Sequence, residues 1–231
     1  MERISTGITG LDEVLEGGFP HPSGIVITGP PGIGKTVFAL QFLYEGARKG
    51  EAGFMMQIEG YATDVEWYAE KFSWDIQSLE NEGKLLFSSF DPMEFTKFDL
   101  STFHADVVLR LYKIIDSMKA KRIVVDSIAP IASSMQNEGQ YRTLMYYLIK
   151  SLKGKNCTVL FVSEKESDKT NPEEYIADGV IELKYVESDG NINPTMFIKK
   201  MTATEIVNRQ FSIQIDNFGF KIINPFGEGI F

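Results

Sequence analysis

Apolar residues along this chain are spaced in two ways, and the change between them falls near Asp178. Before it, short β-branched runs alternate with stretches in which apolar residues recur every three or four positions, the spacing of one helix face. Ile25-Val26-Ile27 has no polar interruption and predicts a strand buried on both sides. Val37, Leu40, Phe42, Leu43 and Ala47 predict the helix that follows, with Gly50 as its stop. The alternation continues through strands at 53–59, 84–88, 121–126 and 156–162, the last running into Ser163-Glu164. Between them lie a helix entered at a Thr63/Glu66 capping box, a long amphipathic helix from Leu100, and a helix at 141–152. The long helix has apolar positions at 103, 107, 108, 111, 114, 115 and 118; the other carries Leu144, Leu148 and Leu152 on one face. After Asp178, strand-like runs at 179–186, 195–200, 210–215 and 219–223 are punctuated by the turn signals Asp189-Gly190 and Asn217-Phe218.

Helix-linked strands followed by hairpins predict an α/β fold: a mostly parallel central sheet flanked by helices, with antiparallel strands at the C-terminus. Residues 6–20 predict a short helix around Leu11, Val14 and Leu15, closed by Gly17-Gly18 and Pro20. Residues 91–99 and 165–172 read as surface loops, the second following the strand end at Glu164 and lying beside the candidate site at 29–36. With no linker and no repeat, one domain over residues 1–231 is expected.

Composition narrows the chemistry. A net charge of −9 argues against a broad basic surface for nucleic acid, leaving only a local basic channel open. The one cysteine, Cys157, excludes an internal disulfide, and its apolar surroundings predict a buried small hydrophobe. His21 and His104 have no metal-ligand spacing with each other or with Cys157, so no structural metal is expected. No apolar run is long enough to span a bilayer, and the N-terminus lacks a basic-then-apolar leader. Trp67, Tyr68, Phe72 and Trp74 form an aromatic cluster best explained as core; a base-stacking platform is the alternative, opposed by the acidic stretch around it.

Gly29-Pro30-Pro31-Gly32-Ile33-Gly34-Lys35-Thr36 satisfies the phosphate-loop pattern and sits between the predicted strand and the helix that Val37 continues. That context is what the chemistry requires. Glycines let backbone N–H groups converge on phosphate oxygens, and the helix adds its positive end. Lys35 would reach the β and γ phosphates, and the Thr36 hydroxyl would hold Mg²⁺. Asp126, ending a β-branched strand, is the matching acidic Mg²⁺-site residue. Glu59 ends another strand and could orient a water for attack on the γ phosphate; a solvated strand-end glutamate is the alternative.

Thr6-Gly-Ile-Thr-Gly-Leu-Asp12, the loop at 29–36, Phe72-Ser-Trp-Asp75, Val124-Val-Asp-Ser127 and Glu174-Tyr-Ile-Ala-Asp-Gly-Val180 together resemble the KaiC-like branch of the RecA superfamily. The resemblance spans nearly the whole chain, with the motifs in the family's order. It implies a RecA-like P-loop fold with one KaiC-type ATPase domain, ATP and Mg²⁺ as ligands, and a ring, commonly a hexamer, with nucleotide at its interfaces. It also implies a cytoplasmic protein from an archaeon or bacterium. Two positions depart from the family. Gly60 replaces the second of two adjacent catalytic glutamates, leaving Glu59. Lys200-Met201-Thr202 keeps the lysine of a K-x-R element that acts on the neighbouring subunit's γ phosphate, but not its arginine. The expectation is a slow ATPase that uses Glu59, Lys35 and Lys200 and couples nucleotide state to assembly or signalling with an unidentified protein partner. The alternatives are a non-hydrolysing nucleotide-dependent switch and a recombinase-like binder of single-stranded DNA. Phosphate transfer to Ser133-Ser134 or Ser88-Ser89 ranks below these.

Overall fold

A computed structural model of the chain describes residues 1–58, 62–97, 106–165, 170–188 and 190–223. Glu59, Gly60, Leu100, Phe103, His104 and Asp189 lie outside the described residues, as do residues 166–169 of the second loop and the side chain of Thr63.

The chain opens with β1 (Arg3–Ile4), the one-turn helix α1 (Leu11–Val14) and β2 (Phe19–Pro20), the two strands pairing antiparallel. The order then runs β3 (Gly24–Gly29), α2 (Lys35–Arg48), β4 (Gly53–Ile58), α3 (Ala62–Phe72), α4 (Ile76–Asn81), β5 (Leu85–Phe90), α5 (Met93–Thr96) and α6 (Asp106–Met118). Next come β6 (Arg122–Asp126), α7 (Ala129–Ser134), α8 (Glu138–Gly154), β7 (Thr158–Glu164) and α9 (Pro172–Ile176). Four strands close the described chain: β8 (Gly179–Ser188), β9 (Asn191–Met201), β10 (Gln210–Asp216) and β11 (Gly219–Ile223).

The strands from β3 onward form one sheet in the order β11-β10-β9-β8-β3-β7-β6-β4-β5. Pairings from β8 through β3, β7, β6 and β4 to β5 are parallel, and those among β8, β9, β10 and β11 are antiparallel. This is the predicted α/β arrangement. The chain leaves β3 toward β4 on one side and leaves β7 toward β8 on the other, so the carboxyl ends of the central strands face an open crevice.

Unbroken apolar strands follow from burial on both sheet faces. Ile25 and Ile27 join Phe38, Leu40 and Leu43 of α2 in one core, while Val26, between them in sequence, joins Leu111 of α6 and Leu148 of α8 in the other. Cys157 is fully buried in the second core, as its surroundings indicated. Two sequence expectations change. Residues 91–99 hold a turn of helix, α5, whose Phe95 is fully buried among charged neighbours that disguise it. In the aromatic cluster Phe72 and Trp74 are buried, but Trp67 is 68% exposed.

A charged residue sits inside the α2 side of the sheet. The Arg122 side chain donates to the Phe42 carbonyl at 2.7 Å, pairs with Glu51 and lies over the Phe42 ring. Burial pulls its pKa below the usual arginine value, and the Glu51 carboxylate opposes that shift. Gly46 gives it room: a Cβ there would lie 2.1 Å from Arg122 Nε. Helix propensity alone would make Gly46→Ala stabilising by about 1 kcal/mol. Displacing a buried, paired guanidinium outweighs that, at about 3–5 kcal/mol. Gly46→Ala should therefore lose about 2 kcal/mol or more in a urea titration, and a gain would show that Arg122 moves aside freely.

Candidate functional site

The site starts where β3 ends. Gly29 lies against β8, and a Cβ on it would come 2.5 Å from the Leu183 carbonyl oxygen. The loop then turns through Gly34, whose φ of +103° and proximity to Ile215 together exclude a side chain. Immediately after it α2 begins, with Phe38 N–H donating to the Gly34 carbonyl at 3.0 Å. Strand, glycine loop and helix are thus contiguous, as the sequence pattern requires.

Lys35 is the first residue of α2, and its side chain folds back over the loop. Nζ donates to the carbonyls of Gly29 at 2.7 Å and Pro30 at 2.9 Å, and the residue is only 8% exposed. Burial lowers its pKa below the ordinary lysine value, while the carboxylates of Glu164 and Asp126 work against that shift. On the next residue, the Thr36 hydroxyl donates to the Asp126 carboxylate. Asp126 closes β6, opposite Gln57 of β4 and Val162 of β7. Burial raises its pKa above the usual carboxylate value; the Thr36 hydrogen bond and Lys35 pull it down, and Glu164 pushes it further up. A hydroxyl and a carboxylate held against each other are the hard oxygen donors that Mg²⁺ takes alongside retained waters, so Thr36 and Asp126 fit that ion.

These residues line one cavity of ≈ 410 Å³, together with Pro31, Gly32, Gln57, Ile58 and Ser127. Val65, Trp67 and Tyr68 of α3 line it as well. Ile33 packs into the core beneath the loop, as does Val37 within α2. Glu164 also lines the cavity, across β7 from Gly29 of β3. The sequence ends a strand at Glu164 and sets the loop after it beside the site, but it assigns Glu164 itself no role, because only strand order puts its carboxylate beside the phosphate loop. The Ser-Glu pair closing an apolar strand was the available signal. A second hollow of ≈ 960 Å³ is lined by Glu164 together with Ser89, Asp91, Ser133 and Ser134; of the serines in the phosphate-transfer reading, Ser88 is not among its lining residues.

Lys200 lies elsewhere. Its Nζ donates to the carbonyls of Ala177 at 2.5 Å and Tyr175 at 3.3 Å, at the end of α9. Lys199 pairs with the buried Glu174 at 2.6 Å, and the Thr202 hydroxyl donates to the Asp178 carbonyl at 2.8 Å. Neither lysine is among the residues lining the cavity of its own chain.

A family model described as "ATPase: KaiC" matches residues 4–226. A UPF0273 protein of Thermotoga maritima is 30% identical over 243 residues, covering 99% of this chain and 99% of that one. Circadian clock protein KaiC3 of Synechocystis is 30% identical over 236 residues; the match covers 97% of this chain and 46% of that protein. Among solved structures, a KaiC-like protein of the hyperthermophilic archaeon Pyrococcus horikoshii superposes with a TM-score of 0.83 at 31% identity, covering 96% of this chain and 99% of its own.

The burial of Asp126 has a pH signature. A carboxyl whose folded pKa is raised is stabilising when protonated and loses that contribution as pH rises through the folded value. Asp126→Asn removes the buried charge and keeps an acceptor for Thr36. The variant without ligand should melt a few degrees above the wild type at pH 7, with the gain fading as pH falls toward the unfolded aspartate value of about 3.9. An equal or lower melting temperature at pH 7 would show that the ionised carboxylate is well compensated.

Proposed function

The chain belongs to the KaiC ATPase family, and on that premise we propose that it binds ATP with Mg²⁺ in the cavity at the end of β3 and hydrolyses it slowly. The observation that carries this reading is the convergence of Lys35, Thr36 and Asp126 on one cavity, with the loop backbone beside them. In the proposed complex the polyphosphate lies along residues 29–36. Lys35 exchanges the Gly29 and Pro30 carbonyls for phosphate oxygens; its partners in the free chain are neutral, so a polyanion competes for it well. Thr36 and Asp126 hold the metal, which when bound neutralises charge on the β and γ oxygens.

Glu59 follows Ile58, a cavity-lining residue, directly in the chain. It is the proposed base: its carboxylate takes a proton from the water that attacks the γ phosphorus, and ADP leaves with the bond electrons. Rate then depends on a cation reaching the γ phosphate from a neighbouring subunit of a ring. An arginine in such a role is worth about 10³–10⁵ in rate. This chain has Thr202 at that place, and Lys199 and Lys200 are both engaged by their own chain. The same observations support a second reading, a switch that binds ATP and assembles with negligible turnover. A net charge of −9 weighs against the single-stranded DNA reading.

Turnover and oligomeric mass, measured together with ATP and Mg²⁺, separate the readings. The wild type should form an ATP-dependent assembly with slow steady turnover. Lys35→Ala should lose ATP binding, Glu59→Gln should bind and assemble without turnover, and Thr202→Arg should turn over at least about tenfold faster. Assembly with no turnover in the wild type would leave the switch alone; no binding of ATP at all would remove both.

A further inference from the structure

Two adjacent lysines of β9 both reach toward α9, which regular strand pairing does not produce. Successive side chains of a strand point to opposite faces. Here the pairing of β8 with β9 shifts register: Val180 faces Lys200 while Ile181 faces Ile198, so Lys199 is an extra residue on β9. An extra residue of this kind re-aims its side chain. The Lys199 ammonium meets the Glu174 carboxylate at 2.6 Å; that of Lys200 donates to the Ala177 carbonyl at 2.5 Å and the Tyr175 carbonyl at 3.3 Å.

The two lysines are held by different chemistry. Lys200 has neutral partners. Lys199 is paired with a carboxylate whose side chain is 2% exposed and which also accepts the Asn171 N–H at 3.1 Å. A phosphate displaces neutral carbonyls from an ammonium readily, because a bond between charged groups is the stronger. Taking Lys199 from Glu174 instead leaves a buried carboxylate short of its counter-ion, the costly way to break such a pair. Lys165, 3.9 Å from Glu174 and itself paired with Glu182, covers only part of that loss.

We propose that Glu174 is a positioning residue that acts through Lys199: it holds that lysine in its own chain, so that the neighbouring subunit's γ phosphate receives Lys200 alone. The proposal rests on the ring reading above and names a second source of its slow turnover besides Thr202. β9 carries another cation directly beside Lys200, and Glu174 keeps it out of use. Removing the charge of Glu174, while leaving its shape, frees Lys199 to join Lys200 at the neighbour's nucleotide.

The test measures steady ATP turnover with Mg²⁺, together with assembly mass and melting temperature, for the wild type, Glu174→Gln, Lys199→Ala and the double variant Glu174→Gln/Lys199→Ala. Glutamine keeps an acceptor for the Asn171 N–H. Glu174→Gln should raise kcat about tenfold at the same assembly mass, a part of what a cation from a neighbouring subunit can supply. Where the wild type shows no turnover, its appearance in Glu174→Gln carries the same meaning. The KM for ATP should stay within about threefold, since the phosphate loop that binds the nucleotide is untouched. The double variant should lose the gain. If Glu174 only keeps α9 in place, its loss gives no gain, or a gain that survives Lys199→Ala; either result would overturn the proposal. Should Glu174→Gln fail to fold, the single lysine variants decide: Lys200→Ala should lower kcat at least about fivefold more than Lys199→Ala, and the reverse order would overturn the proposal. A wild type that binds ATP but stays a monomer would remove the ring reading and this proposal together, and one that binds no ATP would remove the nucleotide reading as well.

Discussion

The ammonium of Lys35 is held in a nearly closed space by two carbonyls of the loop it belongs to, and most of the site is arranged around that charge. Burial disfavours it, and the carboxylates of Asp126 and Glu164 restore part of what burial removes. Those carboxylates come from β6 and β7, so the balance exists only if both strands lie on the correct side of β3. Asp126 is in turn strained toward its neutral form by the same burial and retained by the Thr36 hydroxyl. The cluster is a compromise that a bound polyphosphate and its metal would complete: the anion satisfies Lys35, and the cation satisfies Asp126.

The fold supplies this balance through strand order. Parallel pairing aligns Gly29 with Glu164 and Asp126 with Val162, so the ends of β3, β6 and β7 share one edge of the sheet. Burial of both faces keeps the register fixed, because a one-residue slip would carry Val26 into the wrong core. The antiparallel strands β8 and β9 have a different role. They carry Lys199 and Lys200 to α9, where Glu174 and two backbone carbonyls hold them in the free chain. Any use of these lysines by a neighbouring subunit has to compete with those partners.

The local parts of this architecture were readable from the sequence. The loop at 29–36 and Asp126 depend on short-range signals, a glycine spacing and a β-branched run ending in a carboxylate, and the structure brings Lys35, Thr36 and Asp126 to one cavity. The alternation of strands and helices, and the change to hairpins after Asp178, were equally local. Glu164 was not readable as a site residue, since its position depends on β7 pairing with β3 across well over a hundred residues of chain. Trp67 reads with its aromatic neighbours as core in the sequence because helical spacing does not say which of two adjacent rings, Trp67 or Tyr68, faces outward. Phe95 was hidden for the opposite reason: one inward turn among charges has too few residues to show a period.

The central claim is that Thr36 and Asp126 form the metal half of a nucleotide site whose phosphate half is the loop and Lys35. Calorimetric titration of ATP into the wild type and Thr36→Val, each with Mg²⁺ and with a chelator, tests it most directly. Valine keeps the shape of threonine and removes the hydroxyl. The account predicts that Mg²⁺ tightens ATP binding to the wild type, that most of this gain is lost in Thr36→Val, and that the two proteins bind ATP alike in the chelator. An equal gain from Mg²⁺ in both proteins would contradict it.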